Sequence, residues 1–229
     1  MKNYAIILAS GNGKRFGANI PKQFVQIAGK TILEHTIEVF EKSAQINEII
    51  IVITPEYKAT AAKILAKNNY IKVSKLIDGG KIRKESSFIG INSIEEKEAN
   101  VLIHDCARPF LTQKIISDCI EALEKYNAVV PAIPTSDTIY EIEENNIINN
   151  VPNREILRNA QTPQCFKLSV IKKAHELSKN DTNFTDDCTL VVKHNLAKVF
   201  VVNGDTKNIK ITYPNDIIIA EIILKNKNK

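Results

Sequence analysis

The first segment of this chain able to do chemistry is a glycine-rich run with cations in it, Leu8-Ala9-Ser10-Gly11-Asn12-Gly13-Lys14-Arg15-Phe16-Gly17. Glycines let backbone N–H groups close on a phosphate, and Lys14 and Arg15 add mobile positive charge beside them. The run has no GKS or GKT ending, so it is not a Walker loop, and its glycine spacing fails the dinucleotide fingerprint. Lys22, in Pro21-Lys22-Gln23-Phe24, taken alone reads as a solvated surface lysine, and after a phosphate-type loop it becomes a candidate second cation on the same phosphates. Gly79-Gly80-Lys81-Ile82-Arg83-Lys84-Glu85-Ser86 and His104-Asp105-Cys106-Ala107-Arg108-Pro109-Phe110 follow, then Arg154 and Lys210. Cations beside glycines suit an anionic small molecule. Taken singly, several residues have plainer readings. Asp105 also fits a helix N-cap or a structural acceptor, and Arg108 fits a surface partner for it. His104 reads as a packed strand residue, and Asp186-Asp187 after Thr185 as a helix start. Cys106, Cys119, Cys165 and Cys188 read as core, because none has an activating neighbour.

These residues need a scaffold, and 229 residues suffice for one sizeable α/β domain, expected to span 1–229. Trp is absent, so the core must rest on Ile, Val, Leu and Ala. The net charge of +5 is modest, and the lysines at 225–229 are expected to fray in solvent. Elsewhere basic residues are interleaved with acidic ones, which excludes a nucleic-acid stripe. Widely spaced cysteines argue against a zinc site or a disulfide framework. The apolar run at 4–9 is too short for a membrane span and lacks the cleavage site of a secretory signal, so a cytoplasmic protein with no membrane partner is expected.

Periodicity predicts strands at 4–9, 48–54, 73–77, 100–104 and 128–133, with the glycine loop at 10–17. Helices are predicted at 32–42, 58–67, 85–94 and 112–125. Continuous apolar strands between helices imply βαβ units and a mostly parallel sheet covered on both faces, a doubly wound α/β fold of Rossmann-like type. Ligands of such sheets sit beyond the carboxyl ends of the strands. From 138 to 154 the rhythm breaks. Short β-prone segments at 139–142 and 147–151 flank Glu143-Glu144-Asn145-Asn146, a hairpin too small to own a core and expected to project as an arm.

The glycine run and Pro21-Lys22-Gln23 together resemble the signature of the cytidylyltransferases that act on polyol phosphates. That family holds the methylerythritol-phosphate and the ribitol-5-phosphate enzymes, with a nucleotide-diphospho-sugar transferase type of fold. The resemblance extends to the Gly79–Ser86 and His104–Phe110 segments and to Asp137-Thr138. It continues in Asn153-Arg154, Gln161-Thr162-Pro163-Gln164-Cys165-Phe166, Phe184-Thr185-Asp186-Asp187 and Asn208-Ile209-Lys210-Ile211-Thr212-Tyr213-Pro214-Asn215-Asp216. It implies CMP transfer from CTP to a polyol phosphate with Mg2+ or another divalent cation. Arg15 and Lys22 would stabilise the transition state at the α-phosphate, and Arg154 and Lys210 would hold the acceptor phosphate. The backbone of Leu8, Ala9, Ser10 and Gly11 would seat CTP, with Gly79, Gly80, Arg83 and Ser86. Asp105, Arg108, Thr138 and Thr162 would contact the acceptor, with Asp105 also near the metal. The arm would cross a two-fold axis and lend residues to the partner of a homodimer with composite sites.

Within that family, Leu8-Ala9-Ser10-Gly11, Arg83-Lys84-Glu85-Ser86 and Phe110-Leu111-Thr112-Gln113 look closer to the ribitol type. Thr185-Asp186-Asp187 suits the methylerythritol type at least as well. Phe16 replaces the usual Met of both, and Lys81 stands where many methylerythritol enzymes have an acid that touches the base. Rival readings are a sugar-1-phosphate nucleotidyltransferase using UTP or dTTP, a non-catalytic CTP-binding relative, and a dinucleotide oxidoreductase.

Overall fold

The computed structural model describes residues 1–11, 16, 20–179, 181 and 184–227. The chain begins with strand β1 (Lys2–Ala9), the short hairpin β2 (Gln26–Ile27) and β3 (Lys30–Thr31), and helix α1 (Ile32–Glu41). Strand β4 (Glu48–Ile53), helix α2 (Lys58–Asn68), β5 (Val73–Asp78), α3 (Arg83–Asn92), β6 (Ala99–Asp105), α4 (Gln113–Ala122) and β7 (Ala128–Pro134) complete an alternating series. The arm holds β8 (Glu141–Ile142) and β9 (Ile148–Asn150), and then come β10 (Arg158–Ala160) and β11 (Gln164–Lys167). Helices α5 (Leu168–Leu177) and α6 (Asp187–Lys193), strand β12 (Val199–Asn203) and helix α7 (Asn215–Lys227) close the chain.

The main sheet runs β10-β7-β11-β6-β1-β4-β5, with β12 on the other edge of β7. It is mixed. β1 pairs in parallel with β4 and β6, β4 with β5, and β12 with β7. β10 and β11 run antiparallel against successive stretches of β7, and β11 also against β6. Strand alternation then divides the core between the two faces. Ala5, Ile7, Ala9, Ile49, Ile51 and Ile53 pack with Ile32, Leu33, Ile37 and Phe40 of α1 and with Ile115 and Ile116 of α4. Tyr4, Ile6, Leu8, Ile50 and Val52 pack on the other face with Ile91 of α3, Ile171 of α5 and Val191 of α6. Each fully buried Ile stabilises the fold by about 1.5–3 kcal/mol relative to exposure. The apolar runs therefore dictate strands covered on both sides.

Caps fix the helix starts. The Thr31 hydroxyl accepts from the Glu34 N–H while the Glu34 carboxylate accepts from the Thr31 N–H, a reciprocal box that opens α1. Thr112 caps α4, and Asp186 caps α6 by accepting from the Thr189 N–H, as the helix-start reading of Asp186-Asp187 expects. The lysine-rich end, expected to fray over 225–229, is helical as far as Lys227, because α7 docks through Ala220 and continues from that anchor; 228 and 229 lie outside the described residues. The arm projects, with Ile139, Tyr140, Ile142, Ile147, Ile148 and Val151 all exposed. No helix among the described residues is long and apolar enough to cross a membrane.

Candidate active site

β1 and β6 lie side by side in register, with Leu8 opposite Asp105 and the Cys106 N–H donating to the Leu8 carbonyl at 3.0 Å. Strand order leaves β1 toward β4 on one side and toward β6 on the other, which makes the ends of β1 and β6 the switch point of the sheet. A cavity of about 280 Å³ opens there. The Leu8-Ala9-Ser10-Gly11 segment, Lys22, Lys81, Arg83, Asp105, Lys210 and Thr212 line it.

Asp105 is the hinge of the electrostatics. Its Oδ1 accepts from Arg83 Nε at 3.1 Å and its Oδ2 from Lys210 Nζ at 2.7 Å. Burial alone would raise the carboxyl, but Arg83 and Lys210 outweigh it and hold Asp105 well below the usual carboxylate range. Arg83 continues the chain of charge, donating from Nη1 to Asp187 Oδ2 at 2.6 Å. Burial would weaken the guanidinium's hold on its proton, but Asp187 and then Asp105 more than compensate. Lys22 Nζ donates to the Ile211 carbonyl at 3.2 Å, which ties the first loop to the Lys210 segment.

The glycines earlier read as nucleotide-seating are packed against the floor of the cavity. A side chain on Gly79 would bring its Cβ to 2.8 Å from Ser10 Cβ, and one on Gly80 to 2.3 Å from Glu85 Cβ. Only glycine permits that approach of the β5–α3 turn to Ser10. Ser86 is fully buried, with its hydroxyl between Ser10 Oγ at 2.7 Å and the Gly80 N–H at 3.1 Å. Its enclosed hydroxyl supports Ser10 and Gly80.

The structure sorts the remaining site residues. It brings Lys22, Arg83, Asp105 and Lys210 to one cavity with the Leu8–Gly11 backbone. Arg15 lies outside the described residues. Thr162 is buried away from the cavity surface: its hydroxyl accepts from the Asp105 N–H at 3.2 Å and bonds His104 Nδ1 at 3.0 Å. Arg108 donates to the Asn208 carbonyl at 2.8 Å and does not line the cavity, so the surface pair with Asp105 is not formed. Thr138 and Arg154 are exposed, and Arg154 Nη1 donates to the Ser136 carbonyl at 3.1 Å at the base of the arm. Asp105 caps no helix. His104 packs edge-on against Phe40, with its pKa lowered to about 4 by burial, as befits a core residue. All four cysteines are free and buried, and burial pushes the Cys106 thiol up to about 12.

Sequence reasoning missed Gln23, Thr212 and Asp187. Gln23 is buried and donates to the Ala9 carbonyl at 2.9 Å, fixing the loop that follows β1. Thr212 lines the cavity beside Lys210. Asp187 sits behind Arg83 and was absorbed into the helix-start pattern; nothing in the sequence links positions so far apart.

Cations gathered around a switch-point cavity of an α/β sheet, Lys22, Arg83 and Lys210 among the described residues, suit a nucleotidyltransferase. The sequence matches the 2-C-methyl-D-erythritol 4-phosphate cytidylyltransferase (IspD) family over residues 4–226, and the chain belongs to that family. It is accordingly a CTP-using cytidylyltransferase. The chain is 40% identical over 224 residues to the 2-C-methyl-D-erythritol 4-phosphate cytidylyltransferase of Clostridium perfringens strain SM101, covering 98% of this chain and 99% of that one. It is also 40% identical over 232 residues to the bifunctional ribulose 5-phosphate reductase/CDP-ribitol pyrophosphorylase Bcs1 of Haemophilus influenzae, covering 99% of this chain but only 49% of that longer protein. Among solved structures, 4-diphosphocytidyl-2C-methyl-D-erythritol synthase from Anaerococcus prevotii superposes with a TM-score of 0.86 at 32% identity, covering 98% of each chain.

Proposed function

We propose that the protein transfers CMP from CTP to D-ribitol 5-phosphate, forming CDP-ribitol and releasing pyrophosphate. The observation that carries the transfer is the row Lys210–Asp105–Arg83 across one cavity, with Lys22 beside it. An oxygen of the acceptor phosphate attacks the α-phosphorus of CTP as the bond to the pyrophosphate bridging oxygen breaks. A phosphate is already an anionic nucleophile, so the site needs cations in place of a general base. Lys22, joined by Arg15, meets charge at the α-phosphate. Lys210 exchanges its bond to Asp105 for the acceptor phosphate, while Asp105 turns to the polyol hydroxyls. Thr162 and Gln23 act from behind, holding Asp105 and Ala9 in place. We place this reaction in the cytoplasm, where CTP is made.

Mg2+ fits as an ion that arrives with the triphosphate. Among the described residues no cluster of His, Cys, Asp and Glu could cage a metal, and Asp105 is the single carboxylate at the cavity wall. One carboxylate plus phosphate oxygens is an ordinary Mg2+ environment. When bound, the ion neutralises charge on the triphosphate. The exposed apolar arm supports a homodimer in which Arg154 and Thr138 serve the partner's cavity.

Ser10-Gly11, Arg83–Ser86 and Phe110–Gln113 support the ribitol acceptor, as does the similarity to Bcs1. The family match and the clostridial relative favour 2-C-methyl-D-erythritol 4-phosphate as the second reading. Both acceptors supplied together with limiting CTP, with products separated by mass, distinguish the two. CDP-ribitol as the main product is expected, and a mixture dominated by the methylerythritol product overturns the assignment.

A further inference from the structure

Behind the cavity, Arg83 meets a second carboxylate that the reaction itself does not use. Asp187 opens α6 and is 1% exposed. Every oxygen it carries is engaged: Oδ2 accepts from Arg83 Nη1 at 2.6 Å, and Oδ1 accepts from Ser87 Oγ at 2.6 Å. His175 Nε2 is also 3.0 Å from Oδ1. The Asp187 N–H donates to Gln164 Oε1 at 2.9 Å, which anchors the start of α6 to β11. Arg83 and Ser87 stand one turn apart on α3 and so share a face, which is why one carboxylate can hold both.

A free arginine side chain samples many rotamers, worth about 2 kcal/mol of entropy. Here the guanidinium is fixed at two edges, Nε on Asp105 and Nη1 on Asp187, and Nη2 makes no hydrogen bond among the described residues. We propose that Asp187, held by Ser87 and His175, is a positioning residue that sets the roll of Arg83 and so reserves Nη2 for CTP. The proposal rests on Arg83 being a CTP contact. Asp187→Asn keeps the volume but leaves Arg83 Nη1 at most a neutral amide oxygen, and its amide NH2 requires Ser87 Oγ or His175 Nε2 to turn acceptor. The guanidinium then keeps one charged anchor of two.

The test is steady-state kinetics with varied CTP at saturating acceptor, with a thermal melt of each variant. Asp187→Asn is expected to raise KM for CTP by about 10-fold, the loss of a charge-assisted hydrogen bond behind the contact. Merely structural damage would lower kcat through the active fraction and leave KM unmoved. Arg83→Gln should raise KM as well, and adding Asp187→Asn to it should change KM by less than about twofold, because residues acting as one unit are not additive. If Asp187→Asn does not fold, Ser87→Ala takes its place, with a severalfold rise in KM. A KM unchanged in every foldable variant of Asp187 and Ser87 overturns the proposal, as does full additivity with Arg83→Gln. An unchanged KM in Arg83→Gln itself refutes the CTP contact on which the proposal stands.

Discussion

Replacing Lys210 with Met separates the cation's work in the reaction from its work in the fold. The Lys210 stem is retained, and what disappears is the ammonium 2.7 Å from Asp105 Oδ2. The Lys210 side chain is 38% exposed, so water screens the pair heavily. Arg83 still answers Asp105 at 3.1 Å after the change. The cost to stability is therefore that of a screened ion pair, about 1 kcal/mol. For a chain of this length that lowers Tm by about 2–4 °C. Loss of a preorganised donor to the acceptor phosphate costs about 10²–10³ in kcat/KM for the acceptor, or roughly 3–4 kcal/mol. The kinetic effect dominates. Pyrophosphate release with varied acceptor at saturating CTP and a melt in the same buffer measure both. A kcat/KM for the acceptor within threefold of the parent refutes the role given to Lys210, and a Tm lowered by more than about 10 °C shows the lysine to be structural.

Three more outcomes follow from the packing, the charges and the arm. The pKa of His104 falls from 6.5 to about 4 in the fold, so the unfolded chain binds the extra proton first. Stability is fully present above pH 6.5 and declines by roughly 3 kcal/mol as pH falls to 4. Asp105 and Asp187, both depressed, add a further loss only below their ordinary range near pH 4; a melt that is flat from pH 7 to 4 contradicts this. Gly90→Ala would put a Cβ 2.7 Å from Ile6 Cγ2 and 3.1 Å from Val52 Cγ2. The overpacking, about 1–3 kcal/mol, outweighs the helix propensity gained, about 1 kcal/mol, so Tm should fall. In the proposed homodimer, Lys22→Ala and Arg154→Ala should each be inactive alone and regain activity when co-refolded, because one composite site is then whole. No recovery would place Arg154 in its own chain's work.

The first half of the fold was legible because its strands are unbroken apolar runs. Ile49 to Ile53 can only be a strand buried on both faces, and the helix starts at Thr31 and Thr112 carry their caps in the sequence. Beyond the arm little was, apart from the start of α6 at Asp186. β10 is Arg158-Asn159-Ala160, short, polar and exposed, and it is a strand only because β7 offers it a partner. Pro163 then interrupts the run before β11, and Ile218, Ile219 and Ile222 of α7 are exposed, which blurs any amphipathic face. The site divides in the same way. Motif residues such as Lys22, Asp105 and Lys210 could be named one by one. The bonds that make them a unit, from Lys210 through Asp105 and Arg83 to Asp187, join segments of chain separated by 105, 22 and 104 positions. Only the fold shows which cation faces which carboxylate.

The central claim is transfer of the CTP α-phosphate, with its nucleoside, to an acceptor phosphate. The most direct measurement follows label from [α-32P]CTP and, in parallel, [γ-32P]CTP in the presence of Mg2+ and ribitol 5-phosphate. The α-label should appear in CDP-ribitol and the γ-label only in pyrophosphate. The γ-label appearing on the polyol, or no α-label leaving CTP with any polyol phosphate, would contradict it.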